Sequence, residues 1–314
     1  MLQDLLEGRK CFKLVCGAGN EDAVEVEKLI TLYAKAGCKF FDLSAKPEIV
    51  DAAKKGLKRA DVNDAYLCVS VGIKGDPHIS KAQIDYEKCI GCGKCDEICP
   101  HNAIKYHEVK RIKCIGCGRC AKICPQAAIN YMSKNIDLNE VLPPLAEKGI
   151  DCIEFHAMNK NEEEILNKWQ TINEHYKGML SICTNHAQIS DDTMIKRIKR
   201  MIKDRAAYST VIQADGFPMS GGQDDYKTTL QAVACAEIIQ NENLPVYLFL
   251  SGGTNSKTAE LAQLCGIRYN GIAIGSYARK IVREQIDRED FLTNQAVFEK
   301  ALKKASALVA SIKI

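Results

Sequence analysis

CIGCGKCDEICPHNAIKYHEVKRIKCIGCGRCAKICP, residues 89–125, contains one cysteine pattern twice. Each copy reads C-x2-C-x2-C-x3-C-P, with glycines between the first three cysteines and a proline after the fourth. Three thiolates at this spacing reach three corners of one small cube, and this is the ligand pattern of bacterial [4Fe-4S] ferredoxins. The glycines leave the backbone free to curl and to direct N–H groups at the sulfurs. The pattern therefore predicts a ferredoxin-like unit with two [4Fe-4S] clusters.

The two runs are expected to share their ligands. In two-cluster ferredoxins the fourth cysteine of each run ligates the cluster of the other run. The predicted first cluster site is therefore Cys89, Cys92, Cys95 and Cys124. The predicted second cluster site is Cys99, Cys114, Cys117 and Cys120. Disulfides or zinc are the alternatives, but disulfides belong to exported proteins and a zinc site needs four ligands rather than this doubled set.

Composition sets the broad class of the protein. The chain has 314 residues, 16 cysteines and a formal net charge of +3, and this length suffices for one large domain and one small one. The N-terminal segment MLQDLLEGRK lacks a basic region followed by a long apolar run, and no later segment is apolar enough to span a bilayer. We therefore expect a cytoplasmic protein without a membrane span, and the small net charge does not indicate a nucleic-acid partner.

Around the cysteine runs, short apolar segments alternate with amphipathic helical ones. The predicted strands are 12–18, 38–44, 65–72, 150–158, 178–185, 209–216, 245–253 and 271–278. The predicted helices are 21–37, 47–60, 138–148, 162–176, 191–206, 225–241, 256–265 and a last one from about residue 290. Eight strand–helix pairs favour an α/β fold of the (β/α)8 barrel type. A doubly wound open sheet is the alternative, because periodicity counts the units without showing closure.

The cluster unit interrupts this alternation after the third strand. We predict a first barrel part at 1–74, a ferredoxin-like insertion at 75–135 and a second barrel part at 136–314. The insertion would leave from the C-terminal end of a strand, which is the face where barrels of this type build their active sites. The two clusters are therefore expected to lie over the barrel mouth.

Polar residues end several of the predicted strands at two-residue spacing, which directs their side chains to one face. The second strand ends in Asp42 and Ser44, the fifth in Cys183 and Asn185, and Lys13 lies on the first strand. The predicted catalytic set is Lys13, Asp42, Glu154, His156 and Asp215. Structural neutralisation of Lys13 is the alternative, since a buried charge must be paired.

Glycines follow the last two predicted strands. LSGGTNSKT, residues 250–258, and GIAIGSYAR, residues 271–279, place backbone N–H groups where barrels often bind phosphate. We expect the phosphate of FMN or of a phosphorylated metabolite here, although the glycines also suit plain tight turns. The loop ADGFPMSGGQDDY, residues 214–226, is interpreted as a lid or as a surface loop.

The segment from Lys105 to Lys122 carries six Lys and Arg residues and a single acidic residue, Glu108. Such a face can dock an acidic electron-transfer protein of the ferredoxin or flavodoxin type, or it can be an ordinary solvated surface.

Several of these segments together resemble one family across nearly the whole chain. They are FKLVCGA, GDPHISKAQID, IEFHAM, QADGFPMSGG, LSGGTN and GIAIGSYAR. This combination resembles the LdpA (light-dependent period) proteins, iron–sulfur proteins of the cyanobacterial clock-input pathway. The resemblance implies redox-active clusters and, in cyanobacteria, a role in reporting redox state to the clock. Cyanobacterial members have a less regular first cysteine run, whereas this chain has two intact runs.

The resemblance also implies a ligand site at the barrel mouth. Its residues here would be Lys13, Asp76, His78, Glu154, His156, Gln213, Asp215, Gly252, Gly253, Thr254, Asn255, Gly275, Ser276 and Arg279. The functional prediction is an oxidoreductase that passes electrons from the clusters to a flavin or phosphorylated ligand at the mouth. The alternative is a redox sensor or electron-transfer adaptor without turnover.

Overall fold

The computed structural model describes residues 1–9, 11–17, 19–72, 80–132, 137–158, 160–186, 189–216 and 223–312. The strands of these ranges are β1 (Cys11–Val15), β2 (Phe40–Ser44), β3 (Tyr66–Val71), β4 (Lys81–Ile84), β5 (Ile104–Lys105), β6 (Glu108–Val109), β7 (Ile129–Met132), β8 (Cys152–His156), β9 (Met179–Thr184), β10 (Thr210–Asp215), β11 (Tyr247–Ser251) and β12 (Gly271–Ile274). The α-helices are α1 (Leu2–Glu7), α2 (Ala23–Lys35), α3 (Pro47–Ala60), α4 (Lys94–Glu97), α5 (Arg119–Ile123), α6 (Leu138–Glu147), α7 (Glu162–His175), α8 (Asp191–Ile202), α9 (Tyr226–Asn241), α10 (Thr258–Leu264), α11 (Ser276–Ile281), α12 (Arg283–Ile286) and α13 (Gln295–Ser311).

Eight parallel strands form a closed barrel in the order β1-β12-β11-β10-β9-β8-β3-β2. Closure is made by β1, where Lys13 pairs with Phe40 of β2 on one side and with Ala273 of β12 on the other. This closure confirms the predicted (β/α)8 barrel and excludes the open doubly wound sheet. Within the described ranges, no helix is both long and apolar enough to cross a bilayer.

The cysteine runs lie outside the barrel. Strand β3 pairs directly with β8, with Cys68 opposite Cys152. The described residues between these strands include two small antiparallel sheets, β4 with β7 and β5 with β6. Their apolar residues form a separate small core that includes Ile84, Ile104 and Ile129. The cluster unit therefore has its own core and its own sheets.

The barrel interior is apolar at one end and polar at the other. Phe40, Val211 and Phe249 pack together in an interior apolar cluster, and the short helix α1 contributes Leu2 and Leu6 to it. The polar residues at the ends of β2, β8 and β10 occupy the opposite, C-terminal end. Helix α1 was not predicted, because its six residues are stabilised by burial of two leucines rather than by a local pattern.

Candidate functional site

The four cysteines predicted to hold the first cluster come together from both cysteine runs. Its four cysteines, Cys89, Cys92, Cys95 and Cys124, line one small pocket. Gly91 and Gly93 have φ angles of 69° and 74°, a left-handed conformation that lets the chain curl between the cysteines. Cys92 is exposed to solvent, whereas the other three are partly buried. The structure thus places the last cysteine of the second run beside the first three of the first run.

The four cysteines predicted to hold the second cluster are more buried than those predicted to hold the first. Cys114 and Cys120 are buried in the small core of the cluster unit, against which Cys89, Cys95, Cys99 and Cys124 all pack. Burial raises the pKa of the Cys117 thiol, and the nearby thiols of Cys99 and Cys114 raise it further. Cys99 therefore lies with the cysteines of the second run.

Hydrogen-bond donors are directed at the sulfurs of both sites. The backbone N–H of Ala103 lies 3.3 Å from Cys99 Sγ, and that of Ala128 lies 3.3 Å from Cys124 Sγ. In the second site, Ala82 N is 3.3 Å from Cys114 Sγ and Tyr131 Oη is 3.0 Å from Cys120 Sγ. Eight thiols at ligand spacing, glycine turns and N–H groups aimed at sulfur are the features that [4Fe-4S] clusters require. The residues present fit two clusters.

The second cluster site adjoins the barrel mouth. Ile115 follows Cys114, is 7% exposed and lines the cavity at the C-terminal end of the barrel. The buried ammonium of Lys81 donates a hydrogen bond to the carbonyl of Cys114 at 2.6 Å and another to the carbonyl of Gly19 in the β1–α2 loop. The cluster unit is therefore attached to the barrel through its second site.

A buried network of charged and polar side chains forms the floor of this cavity. Lys13 Nζ lies 2.5 Å from Glu154 Oε2, 3.3 Å from Gln213 Oε1 and 4.0 Å from Asp42 Oδ1. Burial disfavours the Lys13 ammonium, but the acidic groups around it, Glu154 and Asp42 among them, raise its pKa well above the ordinary value. Burial likewise opposes ionisation of Glu154, yet Lys13 and His156 lower the pKa of its carboxyl. The pair is therefore ionised at neutral pH.

Two serines that sequence reasoning missed complete the network. Ser70 Oγ donates to Asp42 Oδ1 at 2.6 Å, and Ser181 Oγ donates to Glu154 Oε2 at 3.1 Å. Gln213 Nε2 donates to Glu154 Oε1 at 2.9 Å. Ser70, Glu154 and Ser181 are register partners on neighbouring strands, and this register, which the sequence of a single strand does not contain, brings the serines into the network.

The cavity above the network has a volume of about 80 Å³. The predicted site residues that line it are Asp42, Glu154, His156, Gln213, Asp215, Gly252, Gly253, Thr254, Gly275, Ser276 and Arg279. The lining residues that were not assigned to the site from sequence include Gly17, Gly19 and Ile115. Gly17 lies close to Arg279, since a Cβ there would be 3.3 Å from Arg279 Nη1.

Three groups of predicted site residues are not among the described residues that line the cavity. Lys13 lies in the network that forms the cavity floor. Asn255 is fully buried, and its amide donates to the carbonyls of Gln223 and Asp225. Asp76, His78 and residues 217–222 of the predicted lid lie outside the described residues.

Arg279 introduces a buried positive charge at the cavity wall. Its side chain is 4% exposed, and Nη1 donates to the carbonyl of Val15 at 2.6 Å. Its Nε atom has no hydrogen-bond partner among the described residues. Burial lowers the pKa of this guanidinium, and the nearby Glu25 carboxylate opposes that shift. Arg279 also lines the cavity, so it contributes positive charge to the cavity wall.

Gly252, in the turn after β11, allows close packing of this turn against Asp215. Gly252 has a φ of 70°, and a Cβ there would lie 2.5 Å from Asp215 Oδ1. Only glycine therefore lets this turn approach Asp215 so closely.

Three family models match the chain. The model described as "Light dependent period A C-terminal domain" matches residues 144–311, the LdpA Fe-S cluster-binding domain matches 95–135, and a 4Fe-4S binding domain matches 82–105. The chain therefore binds iron–sulfur clusters of the 4Fe-4S type. These matches cover both the cysteine runs and the second part of the barrel.

Solved structures and one curated protein are also similar to this chain. The YdjI aldolase from Escherichia coli K12 has a TM-score of 0.51 at 9% identity and covers 100% of this chain and 94% of its own. Tryptophan synthase from M. tuberculosis has a TM-score of 0.49 at 10% identity, over 100% of this chain and 97% of its own. At 9% identity the likeness to the YdjI aldolase shows the barrel fold alone. "Light dependent period A" from Synechococcus elongatus is 31% identical over 332 residues, covering 99% of this chain and 93% of that protein. This chain therefore belongs to the light dependent period A family.

Proposed function

We propose that this protein is a redox protein with two [4Fe-4S] sites of crossed ligation and a small-anion site at the barrel mouth. The observation that carries the proposal is the position of Ile115, which follows Cys114 of the second cluster site and lines the cavity. When bound, such clusters supply one-electron transfer.

The proposal includes the division of the chain into 1–74, 75–135 and 136–314. A cytoplasmic location is part of it, because eight ligand thiols must stay reduced.

The anion is proposed from the charge and the polar groups of the cavity wall. Arg279 offers a buried guanidinium whose Nε has no hydrogen-bond partner among the described residues, and Gly253 and Ser276 lie in the same wall. The cavity has a volume of about 80 Å³. The groups in its wall are of the kind that bind a phosphate or carboxylate group. The ligand class is therefore a small phosphorylated or carboxylated metabolite.

Two versions of this function differ in whether the ligand reacts. His156 lines the cavity, and its Nε2 lies 3.3 Å from Glu154 Oε1, so it is positioned to hold a proton beside a bound ligand. This favours an oxidoreductase. The ion pair between Lys13 and Glu154 favours the other version, a redox sensor or adaptor without turnover, because both groups keep their charge and both oxygens of Glu154 accept hydrogen bonds.

The proposed electron-transfer partner is an acidic protein of the ferredoxin or flavodoxin type. Lys105, Lys110, Arg111 and Lys122 are exposed on the cluster unit. Cys92 of the first cluster site is exposed as well. Charge complementarity of this kind mainly accelerates association, and it weakens as ionic strength rises.

The anion site is tested by calorimetric titration of the anaerobically purified holoprotein with inorganic phosphate. We expect Arg279→Gln to weaken phosphate binding at least about tenfold, since a charge-assisted hydrogen bond contributes ~1.5–3 kcal/mol. Arg279→Lys should retain part of the affinity. Arg268→Gln is the matched control, because Arg268 is exposed and lines a different pocket.

Iron content must be equal in all of these variants. Wild-type affinity in Arg279→Gln would remove the anion site from the proposal. Flavin absorption bands in the purified protein would favour FMN over the smaller anion. Oxidation of reduced clusters on addition of a candidate phosphorylated or carboxylated metabolite would favour the oxidoreductase over the sensor.

A further inference from the structure

Three side chains in the cavity wall present three different metal-binding atoms close together. Glu154 offers a carboxylate oxygen, His156 an imidazole nitrogen and Cys183 a thiol sulfur, and these atoms lie within 4.8 Å of one another. All three residues are buried and line the cavity. They are separate from the eight cysteines of the two cluster sites. A mixed O, N and S donor set is typical of zinc sites, whereas calcium and magnesium take oxygen ligands.

Regular strands hold the three ligands. His156 on β8 and Cys183 on β9 are register partners in a parallel pair, so their side chains project from neighbouring positions. Glu154 precedes His156 by two residues and therefore faces the same side of β8. None of the three depends on a loop for its position. Ligands on strands are held more accurately than ligands on loops, which favours a preformed site.

The separation of two ligand atoms suits a tetrahedral site. His156 Nε2 lies 3.3 Å from Glu154 Oε1. Two ligand atoms that are each ~2.0–2.1 Å from a tetrahedral metal are roughly 3.3 Å apart. The sulfur of Cys183 lies within 4.8 Å of an imidazole nitrogen of His156 and of a carboxylate oxygen of Glu154, and metal binding would bring it to roughly 3.6 Å from each.

The ion pair with Lys13 is compatible with a bound metal. Lys13 and Ser181 both donate to Oε2 of Glu154, whereas His156 faces Oε1. A carboxylate that binds a metal through one oxygen commonly accepts hydrogen bonds at the other, and such contacts orient the ligand. Two contacts at Oε1 must rearrange, the hydrogen bond from Gln213 at 2.9 Å and the longer one from Ser70 at 3.5 Å.

We propose that Glu154, His156 and Cys183 form a mononuclear zinc-type site, with a fourth position that opens into the cavity beside Arg279. Binding of Zn²⁺ forms bonds to one carboxylate oxygen, one imidazole nitrogen and one thiolate sulfur, and the Cys183 thiol releases its proton to solvent. The fourth position takes water or an oxygen atom of a small anion. The metal would thus polarise the anion that the guanidinium holds. The site does not require the anion proposal, because its three protein ligands bind without one.

The experiment measures Zn²⁺ in the holoprotein. Anaerobically purified protein is incubated with Zn²⁺, passed through a desalting column and analysed for zinc, iron and acid-labile sulfide. We expect about one zinc per chain in the wild type. Cys183→Ser and His156→Gln should each bind Zn²⁺ at least about tenfold more weakly in competition with a chromophoric chelator, the loss typical of altered metal sites. Cys235→Ser is the matched control, since Cys235 is also a buried cysteine but lies on α9 beside the carbonyl of Thr184.

Zinc-edge X-ray absorption separates this site from zinc bound at damaged cluster sites. The proposed site requires one sulfur at ~2.3 Å together with nitrogen and oxygen ligands, whereas cluster cysteines would supply three or four sulfurs. Wild-type protein with full iron content and no stoichiometric zinc would overturn the proposal. Full zinc retention in Cys183→Ser would overturn it as well. Phosphate binding that depends on Arg279 can persist in Cys183→Ser, so failure of the metal site is distinguishable from failure of the anion site.

Discussion

The two cysteine runs are nearly the same in sequence but differ in their surroundings. CIGCGKCDEICP and CIGCGRCAKICP differ at three of twelve positions. Ile90 and Ile115 are equivalent residues, yet Ile90 is 63% exposed and Ile115 is 7% exposed. Ile90 lies at the solvent-exposed first cluster site, and Ile115 lies against the barrel mouth. The cysteine spacing thus determines which atoms can ligate a cluster, while contact with the barrel mouth distinguishes Ile115 from Ile90.

The largest expected effect concerns the exchange of the fourth cysteine between the runs. Cys124→Ala should remove the first cluster and Cys99→Ala the second, each with a loss of about four of eight irons. Cys92→Ala and Cys117→Ala provide the references, because each removes a ligand that belongs to one site only. Cys124→Ala should match Cys92→Ala in its electron paramagnetic resonance spectrum, and Cys99→Ala should match Cys117→Ala. The opposite matching would show that each run holds its own cluster.

A smaller effect is expected from the two equivalent isoleucines. Ile115→Ala removes buried side-chain volume from the contact between the cluster unit and the barrel, and such a change typically costs ~2–4 kcal/mol. Ile90→Ala should change the free energy of unfolding by no more than ~0.5 kcal/mol, because the side chain is exposed. Anaerobic denaturant titration measures both values. Equal effects would mean that the two runs are equally buried in solution.

Local patterns predicted most of the fold. The segment 47–60 is predicted as a helix and is observed as α3 with the same bounds, because its apolar positions recur at helical spacing and Pro47 suits the first turn. Short helices such as α11 and α12 were missed. They have six and four residues, and a helix this short depends on packing against the barrel rather than on its own sequence.

The candidate site likewise contains residues that the sequence could predict and residues that it could not. Cluster ligands could be predicted because their spacing lies within one short segment. Asp42 and Glu154 could be placed together because strand alternation directs them inward. Ser70 requires the pairing of β3 with β8, and Ile115 requires the docking of the cluster unit on the barrel. These contacts join distant parts of the chain, and no local pattern contains them.

The smallest expected effect concerns a hydrogen bond that distinguishes the second cluster site. Tyr131 Oη lies 3.0 Å from Cys120 Sγ. Tyr131→Phe removes a donor that stabilises the more negative, reduced state, and a net hydrogen bond of about 1 kcal/mol corresponds to roughly 40 mV for a one-electron couple. We expect the potential of the second cluster to fall by that amount while the potential of the first stays constant. Tyr106→Phe is the control, because Tyr106 is 89% exposed and its loss should move neither potential. Protein-film voltammetry resolves the two couples. A shift of the first potential instead would show that Cys120 ligates the first cluster, against the prediction.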